Sequence, residues 1–312
     1  MHHPFGVFFT LCFLFLVSPC SEGNILVYPV DGSHWINMKV LVEELHARGH
    51  KITVIRPSNS WYIKENSPLY TSITIKLEED FKNVQREGAS LFSFFRLNNQ
   101  FMTMFTQAHG FWCDVAKEVL ENKKLVKQLI DSKYDLVLTD PFTGSGVIIA
   151  KYLNLPVVFN VRWITRGEGH FFMAPSPLSY IPVPGSGLTD KMDFFQRLKK
   201  HVLHIYDELC NKHIEGGCSI VSLLQQADIW LFRSDFVFDF RPTMPNVVYI
   251  GGFQCKPAEP LPADLEKFVQ SSGEHGVIIM SLGALVNGLP NDITDEIATV
   301  FSKMPQKVIV YT

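Results

Sequence analysis

The sequence predicts an α/β fold built on a parallel, doubly wound sheet, and three observations carry that reading. The segment from Asn24 to Arg56 runs strand, amphipathic helix, strand, the compact unit that joins two parallel strands by a right-handed crossover. The same alternation returns between Asp135 and Val161. With 312 residues, 46% of them hydrophobic and 19% charged, the chain can bury one large core or two ordinary ones.

Taken in order, the chain opens with an apolar run from Phe5 to Val17, followed by the small and turn residues Ser18, Pro19, Cys20 and Ser21. That pattern reads as a secretory signal over residues 1–22, although Met1, His2 and His3 supply no Lys or Arg ahead of it. The alternative is a buried first helix. Asn24 to Pro29 (NILVYP) is a buried strand, His34 to Arg48 an amphipathic helix ended by Gly49, and Lys51 to Arg56 (KITVIR) the next strand. Phe81 to Asp131 is helical and rich in aromatics, among them Phe92, Phe94, Phe95, Phe101, Phe105, Phe111 and Trp112. Most of these rings are expected in the core, with a surplus left to line an apolar pocket. Asp135 to Thr139, Gly144 to Leu153 and Pro156 to Val161 repeat strand, helix, strand. Ala174 to Leu188, dense in Pro, Gly and Ser, reads as a long loop. A helical stretch over 193–226 precedes strands at Asp228 to Phe232 and Val247 to Gly251, and Pro257, Pro260 and Pro262 then stiffen a linker. Beyond it a last strand, helix and strand begin a second domain.

Composition narrows the partners. A net charge of -3 and scattered Lys and Arg offer no field for a phosphate backbone, which argues against nucleic acid. The cysteines form no Cys-x-x-Cys pair and have no His at ligand spacing, which argues against zinc and leaves no metal site expected. Cys210 and Cys218 are either bridged in an oxidising lumen or buried thiols. No stretch after the leader reaches the length of a membrane helix.

The chemistry concentrates at strand ends. A dinucleotide-binding protein would place a Gly-x-Gly-x-x-Gly turn after the first strand, and this chain has Val30-Asp31-Gly32-Ser33-His34-Trp35 instead. Hydride transfer is therefore disfavoured. His34 at the carboxyl end of a parallel strand lies where ligands meet such sheets, and Asp140, directly after DLVLT, lies on the same edge. A carboxylate on the imidazole would set its tautomer and stabilise the imidazolium, leaving the ring to take a proton from a bound hydroxyl. Asp140 could instead cap the helix that follows. With no Gly-x-Ser-x-Gly or comparable nucleophile motif, direct attack by a substrate hydroxyl is favoured over a covalent enzyme intermediate.

Ser33-His34-Trp35, Asp140-Pro141-Phe142, Leu231-Phe232-Arg233, Gly251-Gly252, Cys255-Lys256-Pro257 and the run GEHGVIIMSLGALV are collinear along almost the whole chain. Together they resemble the animal UDP-glucuronosyltransferases. The resemblance implies a two-domain, GT-B-like glycosyltransferase fold: a nearly complete N-terminal Rossmann-like acceptor domain over 23–254, a linker over 255–274, and the beginning of a UDP-sugar domain over 275–312. It implies His34 as base and Asp140 as its partner, Ser281 and Gly283 at the start of the donor-phosphate region, and Arg233 near the diphosphate. The co-substrate would be UDP-glucuronic acid or another UDP-sugar, with no cofactor, and the acceptor a small lipophile. The resemblance also implies the endoplasmic reticulum lumen, membrane association in a full-length form, and homo- or hetero-oligomers with full-length relatives. The family's long donor signature is expected beyond Thr312, so a truncated non-catalytic family member that binds lipophiles or modulates full-length relatives by hetero-oligomerisation is the alternative reading. Gly144-Ser145-Gly146 departs from the family's common Pro-Cys-Gly-like run.

Overall fold

The computed structural model describes residues 22–77, 98–162, 201–235, 237, 244–281, 289 and 291–311. The signal-like run at 1–21, the loop at 174–188 and the aromatic residues Phe92, Phe94 and Phe95 lie outside them, as do the side chains of Phe101 and Phe105.

The first crossover forms as its pattern dictates. β1 (Asn24–Tyr28) leads into α1 (Ser33–Ala47), and β2 (Lys51–Pro57) returns parallel to β1. Trp35, Met38 and Val42, one helical stripe of α1, are buried against the sheet. Gly49, at φ +88°, ends the helix: its N–H reaches the His46 carbonyl, and the next, of His50, reaches Leu45. β3 (Thr71–Ile75) pairs with β2. The helical region holds α2 (Asn98–Glu121) and α3 (Lys123–Asp131), the latter capped by Asn122, whose Oδ1 accepts from the Leu125 N–H.

The second crossover comprises β4 (Leu136–Thr139), α4 (Ser145–Leu153) and β5 (Val157–Val161). Then come α5 (His201–His213), α6 (Ile220–Gln225), β6 (Ile229–Phe232) and β7 (Val247–Tyr249). The expected single helical stretch over 193–226 is thus broken at 214–219, where Gly216 and Gly217 take positive φ and a Cys210–Cys218 disulfide closes the turn; residues 193–200 lie outside the described ones.

Seven parallel strands stand in the order β3-β2-β1-β4-β5-β6-β7. Alternate residues of each strand face opposite layers. Ile25 and Val27 pack on α1 with Trp35, Met38 and Val42, whereas Leu26 and Tyr28 meet residues of α2, α4, α5 and α6. Phe111 and Trp112 belong to that second core. The interval 255–274 is not linker throughout, because α7 (Ala263–Gln270) lies inside it. A second sheet pairs β8 (Val277–Ser281) with β9 (Lys307–Tyr311) in parallel, joined through α8 (Asn291–Phe301).

Candidate active site

The strand order reverses between β1 and β4, and in open parallel sheets the crevice for ligands opens at the carboxyl ends of the two strands flanking that point. Tyr28 and Thr139, their last residues, are register partners. The chain leaving β1 turns at Gly32, whose φ of +77° suits a residue without Cβ, and enters α1 with His34 in its first turn. Asp31 fastens this turn by accepting the N–H groups of Gly32, Trp61 and Tyr62. The chain leaving β4 presents Asp140.

His34 Nδ1 lies 2.6 Å from Asp140 Oδ2, and both residues are buried, at 8% and 2% exposure. Asp140 Oδ1 accepts the N–H of Phe142 at 2.8 Å, so both carboxylate oxygens are engaged. An ionised Asp140 receives Nδ1–H from the ring, which leaves Nε2 as the basic nitrogen. The capping alternative for Asp140 is corrected: Gly144 is the N-cap of α4, without a side-chain bond, and the carboxylate is turned to His34.

Phe142 supports the pair a second time, its ring centroid 5.0 Å from that of His34. The same ring stacks on His109 of α2, at 5.3 Å and 22°. The Nδ1 of His109 is hydrogen-bonded to the hydroxyl of Tyr206 on α5 at 2.6 Å. Burial drives the His109 imidazole down to about 3, so it is neutral at ordinary pH, and burial likewise raises Tyr206 well above the phenol range. Gly144 and Gly146 let the surrounding elements close in: a Cβ on Gly144 would meet Ile220 and Tyr206 within 3 Å.

Arg233 follows β6 at the same sheet edge, exposed, and Arg162 follows β5 beside it, since Val161 and Phe232 are register partners. Burial and then the neighbouring Arg233 lower the Arg162 guanidinium, against an opposing pull from Asp140. Ser281 is the exposed last residue of β8, in the other sheet, and Gly283 lies outside the described residues. The structure thus joins His34 to Asp140 and places Arg233 on the same edge of the sheet, with Ser281 on another element. Sequence reasoning missed His109, Tyr206 and Arg162. Only Arg162 carried a legible signal, its place directly after a predicted parallel strand.

A family model described as "UDP-glucoronosyl and UDP-glucosyl transferase" matches residues 23–311. Rat UDP-glucuronosyltransferase 1-2 is 36% identical over 97% of this chain and 60% of its own length. Human UDP-glucuronosyltransferase 1A9 is 33% identical over 96% and 60%. The chain therefore spans about 60% of the length of these curated relatives. Among solved structures, a UDP-glucosyltransferase from Polygonum tinctorium, described as capable of glucosylating indoxyl, has a TM-score of 0.59 at 13% identity, covering 93% of this chain and 66% of that one. UGT89C1 of Arabidopsis thaliana, in complex with quercetin, has a TM-score of 0.56 at 12% identity, covering 93% and 65%. These likenesses establish the GT-B-like fold. With the family model running along nearly the entire chain and relatives at 36% and 33% identity, the chain belongs to the UDP-glucuronosyl and UDP-glucosyl transferase family.

Proposed function

We propose that the chain serves a UDP-glycosyltransferase that moves glucuronate, or a related sugar, from a UDP-sugar to the hydroxyl of a small lipophilic acceptor, with inversion at the anomeric carbon. His34 Nε2 takes the acceptor proton as the oxygen forms its bond to the anomeric carbon. The bond from that carbon to UDP breaks, and UDP departs with the electron pair. Asp140 holds the ring and offsets the charge of the imidazolium until the proton passes to solvent. The observation that carries this reading is the buried 2.6 Å contact between His34 Nδ1 and Asp140 Oδ2 at the point where the strand order reverses.

The donor's anionic portion would lie toward Arg233 and Arg162, whose adjacent guanidinium groups make that edge attractive to negative charge. Ser281 and Gly283 would open its phosphate region, in a donor domain beginning at residue 275, with 23–254 as the acceptor domain. The seven-stranded sheet falls within 23–254 and the two-stranded one within 275–312, which agrees with that division. We further assign the chain to the endoplasmic reticulum lumen, membrane-associated and able to pair with relatives in a full-length form; the Cys210–Cys218 disulfide supports an oxidising compartment. No helix among the described residues is long and apolar enough to cross a membrane.

The test is His34→Ala in the active protein. Loss of a general base lowers turnover by roughly 10²- to 10⁴-fold with little change in acceptor affinity. Turnover within a few-fold of the unsubstituted protein would sink the assignment.

A further inference from the structure

His34 stands on the first turn of α1, the part of a helix with fewest bonds holding it. Gly32, at the N-cap, makes no side-chain capping bond. One turn further along, Asn37 lies on the same face as His34, buried at 4% exposure. Its Oδ1 accepts a hydrogen bond from Nδ2 of Asn160, fully buried on β5, at 3.2 Å. Thr139 pairs with Phe159 across β4 and β5, so the next residues, Asp140 and Asn160, are neighbours at the sheet edge. Two cross-links therefore run side by side from α1 to the sheet, His34 to Asp140 and Asn37 to Asn160.

The second link costs stability. Among the described residues, Asn37 Nδ2 and Asn160 Oδ1 are sealed from solvent and have no partner. Exchanging oxygen and nitrogen in both amides keeps the one bond between them and reverses its direction. A buried pair satisfied only in part is worse for stability than an apolar pair of similar shape. What it supplies is direction. Apolar contact tolerates rotation and sliding of a helix, whereas a bond between two planar amides fixes both.

We propose that Asn37 and Asn160 are positioning residues that hold the first turn of α1 at the rotation keeping His34 Nδ1 on Asp140. The proposal rests on the His34–Asp140 pairing read above as the proton-transfer pair, but its test does not require turnover. The measurement compares the full chain with the double variant N37L/N160L, and with N37V/N160V as a smaller pair that avoids overpacking. Two quantities are read: the Tm, and the downfield proton resonance of the His34 Nδ1–H bonded to a carboxylate, assigned by its loss in His34→Ala. We expect at least one double variant to keep or raise the Tm while the resonance broadens or moves upfield. A lower Tm in both variants would make the pair structural and overturn the proposal. An undisturbed resonance at unchanged Tm would overturn it too, by showing that His34 is held without the amides. In the active protein the same substitutions lower kcat by roughly 10- to 100-fold and leave KM within about twofold. A failure of His34→Ala to reduce turnover would refute the base assignment and leave these two readings standing.

Discussion

At the scale of single residues, His34 is held by the side chains packed and hydrogen-bonded around it. Asp140 sets its tautomer, Phe142 packs against its ring, and His109, bonded to Tyr206, stacks on Phe142. Keeping His109 neutral has a consequence for stability. In the unfolded chain this imidazole takes up a proton as the pH falls through about 6.5, whereas the folded protein resists until about 3. The unfolded state therefore binds the extra proton between those values, and stability present above pH 6.5 is lost progressively toward pH 3. At about 1.4 kcal/mol per unit, the loss attributable to His109 at pH 5 is ~2 kcal/mol. Urea unfolding of the chain and of His109→Gln at pH 7 and pH 5 measures it: the unsubstituted chain should lose about 2 kcal/mol more than the variant. Equal losses would show that another group governs the acid limb. None of this bracket was legible in the sequence. His109 and Tyr206 are 97 positions apart on separate helices, and a histidine among Phe, Trp and Met gives no sign of its partner. His34 and Asp140, 106 positions apart, were legible because each directly follows a strand, and parallel strands bring such positions to one edge.

At the scale of elements, the contact between α4 and β4 decides how closely the Asp140 loop is held. Gly146, near the start of α4, lies against Thr139, the last residue of β4. A Cβ there would lie 2.7 Å from Thr139 Cβ and nearer still to Thr139 Oγ1, the hydroxyl that donates to the Tyr28 carbonyl at 2.7 Å and ties β4 to β1. Neither backbone can yield without moving the loop between them. Gly146→Ala should destabilise the chain by about 1–3 kcal/mol, the usual cost of overpacking, read as a lower urea midpoint at unchanged slope. An unchanged midpoint would mean that α4 can back away from the sheet. β3 and α7 were not read from the sequence, but the other strands and helices, the 193–226 stretch apart, followed from periodicity to within a few residues, because apolar strands bounded by Gly and Pro leave little choice. The break in the 193–226 stretch did not. Its two glycines and a disulfide between Cys210 and Cys218 override the propensity of the flanking sequence, and spacing alone left those cysteines open.

At the scale of the molecule, burial divides the chain into parts of unequal strength. The central strands β1, β4 and β5 are covered on both faces, and Leu26, Val27, Val137 and Phe159 are wholly shielded from solvent. In contrast, no described residue of α7, β8, α8 or β9 is buried, and Ile279, Val310 and Tyr311 are exposed at 73%, 52% and 71%. Two parallel strands with one crossover helix do not bury enough apolar surface to resist opening alone, whereas a seven-stranded sheet with two helical layers does. Local opening should therefore cost far less in the second sheet than in the first. Hydrogen exchange followed by mass spectrometry checks this directly. Amides of β8 and β9 should exchange at least roughly 100-fold faster than those of β1 and β4, a free-energy gap of about 2.7 kcal/mol or more. Adding an anionic donor analogue should slow exchange at β8 only if Ser281 belongs to the donor site. Protection of β8 and β9 equal to that of β1 in the chain alone would contradict the division, because it would require the two sheets to open as one cooperative unit.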